Sequence, residues 1–211
     1  MTAPPRILVI DTATKACSVA LFYGDEPVAA RHEVIGRGHA EKLIPFIQSL
    51  PENGRADRIA VNIGPGSFTG IRVGISAAKA LALAWQADCF GYNCLALIAA
   101  MANSGTPVDA VMAGGHGEYF FQSFAADGKP VGNPASMKPD AALAISTAPV
   151  IAGDVAEQFA EARGNAAAYE HLPSAAMWPL IAASDELAPR PFYGRAPDAK
   201  PAKGSPSGIL V

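Results

Sequence analysis

The sequence predicts an α/β protein with two lobes, and three observations lead to that expectation. Short apolar segments alternate with segments of helical spacing in both halves of the chain. A loop-forming stretch, Ser104-Gly-Thr-Pro107, separates the halves. The chain has 211 residues, of which 50% are hydrophobic and 17% charged, so it can bury two small cores. We expect an N-terminal lobe over residues 1–105, a C-terminal lobe over 106–196 and a flexible tail over 197–211.

The first half opens with three apolar runs that are typical of consecutive antiparallel strands. The first run ends on Asp11, and Gly24-Asp25 is a hairpin-turn signal between the second and the third. In order, the predicted elements are strands over 6–11, 17–23 and 27–34, a helix over 39–50, a strand over 59–63, a helix over 71–85, a short strand at Phe90 and a short helix over 95–102. A βββαβα order with an acid ending the first strand is the arrangement of actin-like and ribonuclease-H-like folds.

The second half repeats the alternation, without clear residue-by-residue similarity to the first. Tyr119, Phe120 and Phe121 give one strand an aromatic centre, and Asp127-Gly-Lys-Pro130 is a turn signal. The predicted elements are strands over 108–113, 118–125 and 149–152, and helices over 139–145, 155–163 and, interrupted by Pro179, 175–183. After Pro189 only two aromatic residues belong to a core-forming pattern.

Residues 62–85 are the most distinctive stretch, a strand end followed by a glycine turn and a helix. Gly64-Pro65-Gly66 breaks the strand, and Ser67 or Thr69 can cap the helix. The helix is apolar nearly all round, which predicts that it is buried nearly all round. One face must pack on the sheet, and the rest needs a cover from the same chain or from a partner.

Composition and charge exclude several function classes. With a formal net charge of −3, the chain lacks the excess positive charge with which proteins bind nucleic acid by themselves. No stretch has the length and apolarity of a membrane-spanning helix, and no secretory signal is visible, so we expect a cytoplasmic protein without membrane contact. Three cysteines, Cys17, Cys89 and Cys94, fit reduced thiols.

Three motifs resemble one family closely. They are Ile10-Asp-Thr-Ala-Thr14, His39-Ala-Glu-Lys-Leu-Ile-Pro45 and above all Gly64-Pro-Gly-Ser-Phe-Thr-Gly-Ile-Arg-Val-Gly74. They look like those of the TsaB family, also called YeaZ. The likeness runs from about residue 6 to about 105 and returns weakly at Phe192-Tyr-Gly-Arg-Ala-Pro-Asp198.

The resemblance implies an actin-like fold and a role in making N6-threonylcarbamoyladenosine in bacterial tRNA. It implies a non-catalytic partner of a TsaD-like subunit that carries the chemistry, with a TsaE-like ATPase as a third component and tRNA contacted only through the complex. The sequence departs from the family at Ala113-Gly-Gly-His116, where an Asp-Ala-Arg-Arg-like stretch is usual. The role of that stretch is therefore in doubt here.

Asp11 and Thr12 are the candidate nucleotide contacts. Asp11 stands where actin-like ATPases place the acid that organises Mg²⁺ and phosphate. The alternative is that Asp11 caps its own turn through Thr12 to Thr14. The glycine turn lacks the Gly-Lys-Ser/Thr sequence of a phosphate-binding loop, and Pro65 removes one backbone donor, which favours a structural turn.

Catalytic and metal sites are not indicated, and we expect no cofactor. None of the four histidines stands three or four residues from another, and Leu43 occupies the position where the catalytic relatives carry a second metal-binding His after His39. Ser67 lacks the frame of a nucleophile. Arg72 can bind an anion through its guanidinium fork, or form an intramolecular salt bridge.

Two function classes remain open. The first is a scaffold subunit that presents an apolar helical surface to a catalytic partner, and to a second copy of itself when alone. The second is an ATP-binding actin-like phosphotransferase or carbamoyl transferase in its own right. The sequence favours the scaffold, because the ligand sets of an enzyme are missing. The predicted partner interface consists of His39, Leu43, Phe46, Ile47, Gly70, Ile71, Gly74, Ile75 and Ala78.

Overall fold

The computed structural model describes residues 4–102 and 105–193, and two five-stranded sheets organise it. The predicted tail, 197–211, lies outside the described residues. The first lobe contains β1 (Arg6–Asp11), β2 (Ala16–Tyr23), β3 (Glu26–Val34), α1 (His39–Gln48), β4 (Arg58–Asn62), α2 (Phe68–Trp85) and β5 (Asp88–Tyr92). Its strand order is β3-β2-β1-β4-β5, with β1 to β3 antiparallel and β4 and β5 parallel to β1.

The second lobe repeats this βββαβα unit strand for strand. It contains β6 (Val108–Ala113), β7 (Tyr119–Phe124), β8 (Pro130–Met137), α4 (Pro139–Ile145), β9 (Val150–Gly153), α5 (Ala156–Arg163) and β10 (Ala167–Glu170). The order β8-β7-β6-β9-β10 is that of the first sheet, with the same parallel and antiparallel pairings. The predicted actin-like arrangement of two α/β lobes is thereby confirmed.

Two strands of the second lobe were not predicted, β8 and β10. All four residues of β10 are exposed, and β8 is exposed or half-buried along its whole length. Neither strand therefore carries the alternating apolar pattern that identifies a strand in a sequence. Both lie beside a better-patterned strand, which pairs with their backbone.

Helix α3 (Cys94–Ala102) joins the lobes and lies between the two sheets. Its apolar residues contact both cores of the first sheet, and Leu95 and Ile98 share one core with strands of the second. Because the second sheet covers one side of this helix, and the Ala175–Ile181 segment with residues of β5 covers another, it is apolar nearly all round.

The chain returns to the first lobe at its C-terminal end, which corrects the predicted lobe boundary. The 3₁₀ segment Ala175–Ile181 covers the face of the first sheet opposite α2. The Trp178 ring lies 6.0 Å from the ring of Phe22 and 6.2 Å from that of Phe90. Leu187 then pairs with Gly91 at the edge of β5. Residues 175–193 thus pack on the first lobe, although they follow the second in the chain.

Helix α2 begins three residues before the predicted start because Ser67 caps it. The Ser67 hydroxyl accepts a hydrogen bond from the Gly70 N–H at 3.2 Å. None of the helices among residues 4–102 and 105–193 is long and apolar enough to cross a membrane.

Candidate functional site

A cleft of about 860 Å³ lies between the lobes. Its walls are the turns that follow β1, β4, β6 and β9, so it opens at the carboxyl ends of the parallel strands of both sheets. In α/β folds this end of the strands is where ligands bind. The lining residues used below are Lys15, Phe68, Arg72, Glu118, Asp154 and Tyr193.

Asp11 lies beneath this cleft and does not line it. Its side chain has no exposed surface. One carboxylate oxygen accepts hydrogen bonds from Asn62 Nδ2 at 2.7 Å and from the Tyr92 hydroxyl at 3.0 Å, and the other accepts from the Ala13 N–H at 3.2 Å. Burial raises the pKa of Asp11 from 3.8 to about 6, although these donors oppose the shift.

Thr12 is buried beside Asp11 and faces α2. Its hydroxyl donates a hydrogen bond to the Gly70 carbonyl oxygen at 2.7 Å. A Cβ at Gly70 would collide with the Thr12 carbonyl oxygen, and a Cβ at Gly74 would collide with the Thr12 hydroxyl. Of the two residues predicted as nucleotide contacts, Asp11 therefore joins β1 to β4 and β5, and Thr12 joins it to α2. Neither lines the cleft.

The equivalent position in the second lobe carries no acid. Ala113 ends β6 as Asp11 ends β1. Its N–H donates to Asp154 Oδ1 at 2.8 Å, and Asp154 follows β9 where the glycine turn follows β4. Burial raises the pKa of Asp154. The departure from the family at Ala113-Gly-Gly-His116 thus lies on the wall of the cleft.

Two cations line the cleft on the side of the first lobe. Arg72 Nε donates to the Tyr193 hydroxyl at 2.8 Å, and the guanidinium lies 3.6 Å from the centre of the Phe68 ring. Lys15 is exposed. Neither cation pairs with a carboxylate among the described residues, so the intramolecular salt bridge considered for Arg72 is not found there.

Eight of the nine residues predicted as a partner interface lie in the chain's own core. They are His39, Leu43, Ile47, Gly70, Ile71, Gly74, Ile75 and Ala78, and only Phe46 is half-buried. Gly70, Gly74 and Ala78, which lie four residues apart, form a ridge of small residues that was predicted to admit a partner helix. The ridge packs on the first sheet and on Thr12, because its lack of side-chain bulk admits the turn after β1. These eight residues are buried and therefore offer no surface to a partner.

A second side of α2 is apolar and only partly covered by the core. Val73, Ala77, Ala80 and Ala84 recur at helical spacing and are half-buried or exposed, and Leu83 beside them is 84% exposed. On the neighbouring helix α1, Ile44 is exposed. We call this set of six residues the α2 strip. The exposure of its residues in the folded chain identifies the α2 strip. The sequence shows only that the helix is apolar and does not indicate which side faces solvent.

The histidines are separated in space and serve other purposes. His39 Nε2 lies 3.2 Å from the Ala16 carbonyl oxygen and His171 Nε2 lies 3.0 Å from that of Ile98, so each ties two elements together. His32 and His116 are exposed. Within the described part of the chain, no group of three His, Cys, Asp or Glu residues is placed to hold a metal ion.

Sequence comparison relates the chain to proteins of one tRNA modification. The family model TsaD, described as tRNA N6-adenosine threonylcarbamoyltransferase, matches residues 31–183. The tRNA threonylcarbamoyladenosine biosynthesis protein TsaB of Escherichia coli is 38% identical over 130 residues, 58% of this chain and 56% of that protein. TsaB of Haemophilus influenzae is 41% identical over 81 residues, 36% of this chain and 34% of that protein. The matches therefore span about half or less of these TsaB proteins.

Two comparisons extend over nearly the whole chain. An uncharacterized protein of Mycobacterium tuberculosis is 31% identical over 205 residues, 92% of this chain and 94% of that protein. The solved structure of YeaZ from Pseudomonas aeruginosa superposes with a TM-score of 0.75 at 26% identity, covering 89% of this chain and 99% of that one. The second lobe, where the sequence likeness was weak, is included in both.

Proposed function

Because this chain belongs to the TsaB (YeaZ) family, we propose that it is a non-catalytic subunit required for the N6-threonylcarbamoyladenosine modification of tRNA. Its partners are a catalytic TsaD-like subunit and a TsaE-like ATPase. Contact with tRNA occurs only through the complex, and the complex is cytoplasmic. Alone, the chain forms a homodimer through the surface that the catalytic subunit otherwise covers.

The sealed position of Asp11 supports a non-catalytic role. An acid that organises a metal ion and a phosphate must reach them directly or through one water. Asp11 has no exposed surface, and its carboxylate is already bonded to Asn62, Tyr92 and Ala13. Ala113 removes the acid from the equivalent position in the second lobe. The alternative of an ATP-dependent transferase has no support from these contacts.

The α2 strip is the observation that carries the scaffold role. Monomeric proteins seldom leave a contiguous apolar surface in water, and larger patches mark protein interfaces. The side chains of Val73, Ala77, Ala80 and Ala84 are short and let a second helix approach closely. The longer side chain of Leu83 lies beside them. We therefore assign the partner surface to the α2 strip in place of the buried ridge.

Replacing Leu83 with glutamate tests this assignment. The side chain is 84% exposed, so Leu83→Glu should leave the free protein folded. In a complex it would bury an unpaired carboxylate, and binding to the purified TsaD-like subunit should weaken by about tenfold or more. Val131→Glu is the matched control, since Val131 is 60% exposed on β8 of the other lobe.

The measurements are affinity for the TsaD-like subunit, sedimentation of the free chain and threonylcarbamoyladenosine content of tRNA in a reconstituted reaction. We expect Leu83→Glu to weaken binding to the TsaD-like subunit, to reduce self-association of the free chain and to lower the threonylcarbamoyladenosine content of tRNA. Val131→Glu should leave all three unchanged. Equal affinity of the two variants would exclude the α2 strip as the partner surface. Threonylcarbamoyl transfer by this chain without the TsaD-like subunit would exclude the non-catalytic role.

A further inference from the structure

We propose that the cleft between the lobes binds a phosphate monoester on a hydroxylated body, with the phosphate on Arg72 and Lys15 and a hydroxyl group on Asp154. This site is separate from the α2 strip, because the strip begins at Val73 and none of its residues lines the cleft. The ligand class is inferred from three side chains and the volume between them.

The volume suits a small organic ligand. About 860 Å³ lies within the range of pockets that hold metabolites and cofactors, roughly 300–1,000 Å³. The walls come from turns at the ends of two sheets, and the strands that carry these turns contribute to one buried core. Phe120 and Met112 of the second lobe give the cleft an apolar side against which the body of a ligand can pack.

The guanidinium of Arg72 is held in one orientation, but only part of its hydrogen-bonding capacity is occupied. The Tyr193 hydroxyl accepts from Nε, and the Phe68 ring lies under the guanidinium, so the fork has a fixed orientation. The two terminal amino groups of Arg72 have no hydrogen-bond acceptor among residues 4–102 and 105–193. A fixed guanidinium fork with free terminal groups matches a phosphate or carboxylate geometrically.

Lys15 supplies a second positive charge on the same wall. Its carbonyl oxygen accepts from the Ile35 and Gly36 N–H groups at 3.0 and 2.9 Å, which fixes the backbone at the mouth of the cleft. The ammonium group has no ion pair within 4 Å in the described part of the chain, and its charge favours the ionised form of Asp154 across the cleft. Two cations favour a group that carries up to two negative charges, and a phosphate monoester does so at neutral pH.

Asp154 faces them as a hydrogen-bond acceptor. Its Oδ1 accepts from the Ala113 N–H at 2.8 Å, and its own backbone N–H is a further donor to the carboxylate. The other acid of the cleft, Glu118, is occupied by the Ser136 hydroxyl at 2.7 Å and by Lys138 at 3.7 Å. A carboxylate has about four lone-pair sites, so Asp154 can still accept from a ligand that has hydroxyl groups besides its phosphate.

Calorimetric titration of the full chain tests the proposal with ribose 5-phosphate, ribose and AMP as probes. We expect ribose 5-phosphate to bind with a Kd below about 1 mM and ribose not to bind. Arg72→Gln and Lys15→Gln should each weaken binding by about tenfold or more, because each removes a charge-assisted contact. Arg31→Gln is the matched control, since Arg31 is exposed on β3 and does not line the cleft.

The AMP titration distinguishes a sugar phosphate from a nucleotide as the natural ligand. Binding of either phosphate probe supports the proposal if it depends on both cations. The probe with the lower Kd then shows whether the natural ligand is a sugar phosphate or a nucleotide. Absence of binding by both phosphates to the wild-type chain would overturn it. Equal affinity of Arg72→Gln, Lys15→Gln and Arg31→Gln would also overturn it, provided that circular dichroism shows all three variants folded.

Discussion

Asn62 donates a hydrogen bond from its side-chain amide to the buried carboxylate of Asp11 at 2.7 Å, across the parallel pair β1 and β4. The oxygen of the same amide accepts from the Gly64 N–H at 2.8 Å, where the glycine turn begins. One amide therefore couples the acid of the first strand to the turn that starts α2. Among residues 4–102 and 105–193 no cation offsets the burial of this carboxylate, so its ionised form is unfavourable in the folded protein.

Asp11 should make the folded state less stable as the pH rises. Its pKa is about 6 in the folded protein and 3.8 ordinarily, so the folded state holds the proton more tightly. The stabilisation is fully present below 3.8 and is lost as the pH rises through 6. Relative to Asp11→Asn, the wild type should lose roughly 2 kcal/mol of unfolding free energy between pH 4 and 8.

Urea denaturation of both proteins at several pH values measures this difference. The new amide replaces one acceptor oxygen by an NH₂ group and loses part of this hydrogen bonding, but that loss is the same at every pH and cancels in the comparison. Parallel pH profiles of the two proteins would show that Asp11 does not titrate in this range.

Gly70→Ala should destabilise the first lobe directly. The added methyl group would collide with the Thr12 carbonyl oxygen, a backbone atom that cannot move away alone. We expect a loss of roughly 1–3 kcal/mol despite the better helix propensity of alanine. Thermal unfolding followed by circular dichroism measures it. Gly115→Ala is the control, because nothing lies within 4 Å of a Cβ there, and it should change stability by less than about 0.5 kcal/mol.

Trp178→Ala should unfold the first lobe although Trp178 follows the second lobe in the chain. The indole is 5% exposed and packs on Phe22 and Phe90. Its removal should cost roughly 3–5 kcal/mol. Met177→Ala, at a residue 40% exposed, should cost much less. Similar losses for both variants in denaturant titrations would contradict the assignment of residues 175–193 to the first lobe.

Two truncations should differ in their effect on stability. Removing residues 188–211 deletes the Phe192 N–H bond to the Ile63 carbonyl oxygen and the Tyr193 contact with Arg72, so the melting temperature should fall by several degrees. Removing residues 200–211 deletes Pro-, Gly-, Ser- and Lys-rich sequence that ends in the short apolar run Ile209-Leu-Val211, and should leave the melting temperature nearly unchanged. A large fall for the shorter truncation would show that the tail stabilises the fold.

The sequence by itself determined the order of elements in the first lobe and the family. Apolar runs of strand length, a turn at Gly24-Asp25 and the stretch from Gly64 to Gly74 are local signals, and local backbone chemistry is enough to produce them. The strands β8 and β10 escaped prediction because their residues are exposed or half-buried and carry no alternating apolar pattern. Each is held by backbone pairing with the strand that precedes it, β7 and β9 respectively.

Only the tertiary structure decided which side of α2 faces out. A helix that is apolar nearly all round has no pattern that distinguishes an inner from an outer face. The close approach of Thr12 to Gly70 and Gly74 sets the rotation of the helix, and that rotation buries the predicted ridge and exposes Leu83. The same holds for Arg72 and Tyr193, which lie 121 positions apart in the chain and meet because the C-terminal segment returns to the first sheet.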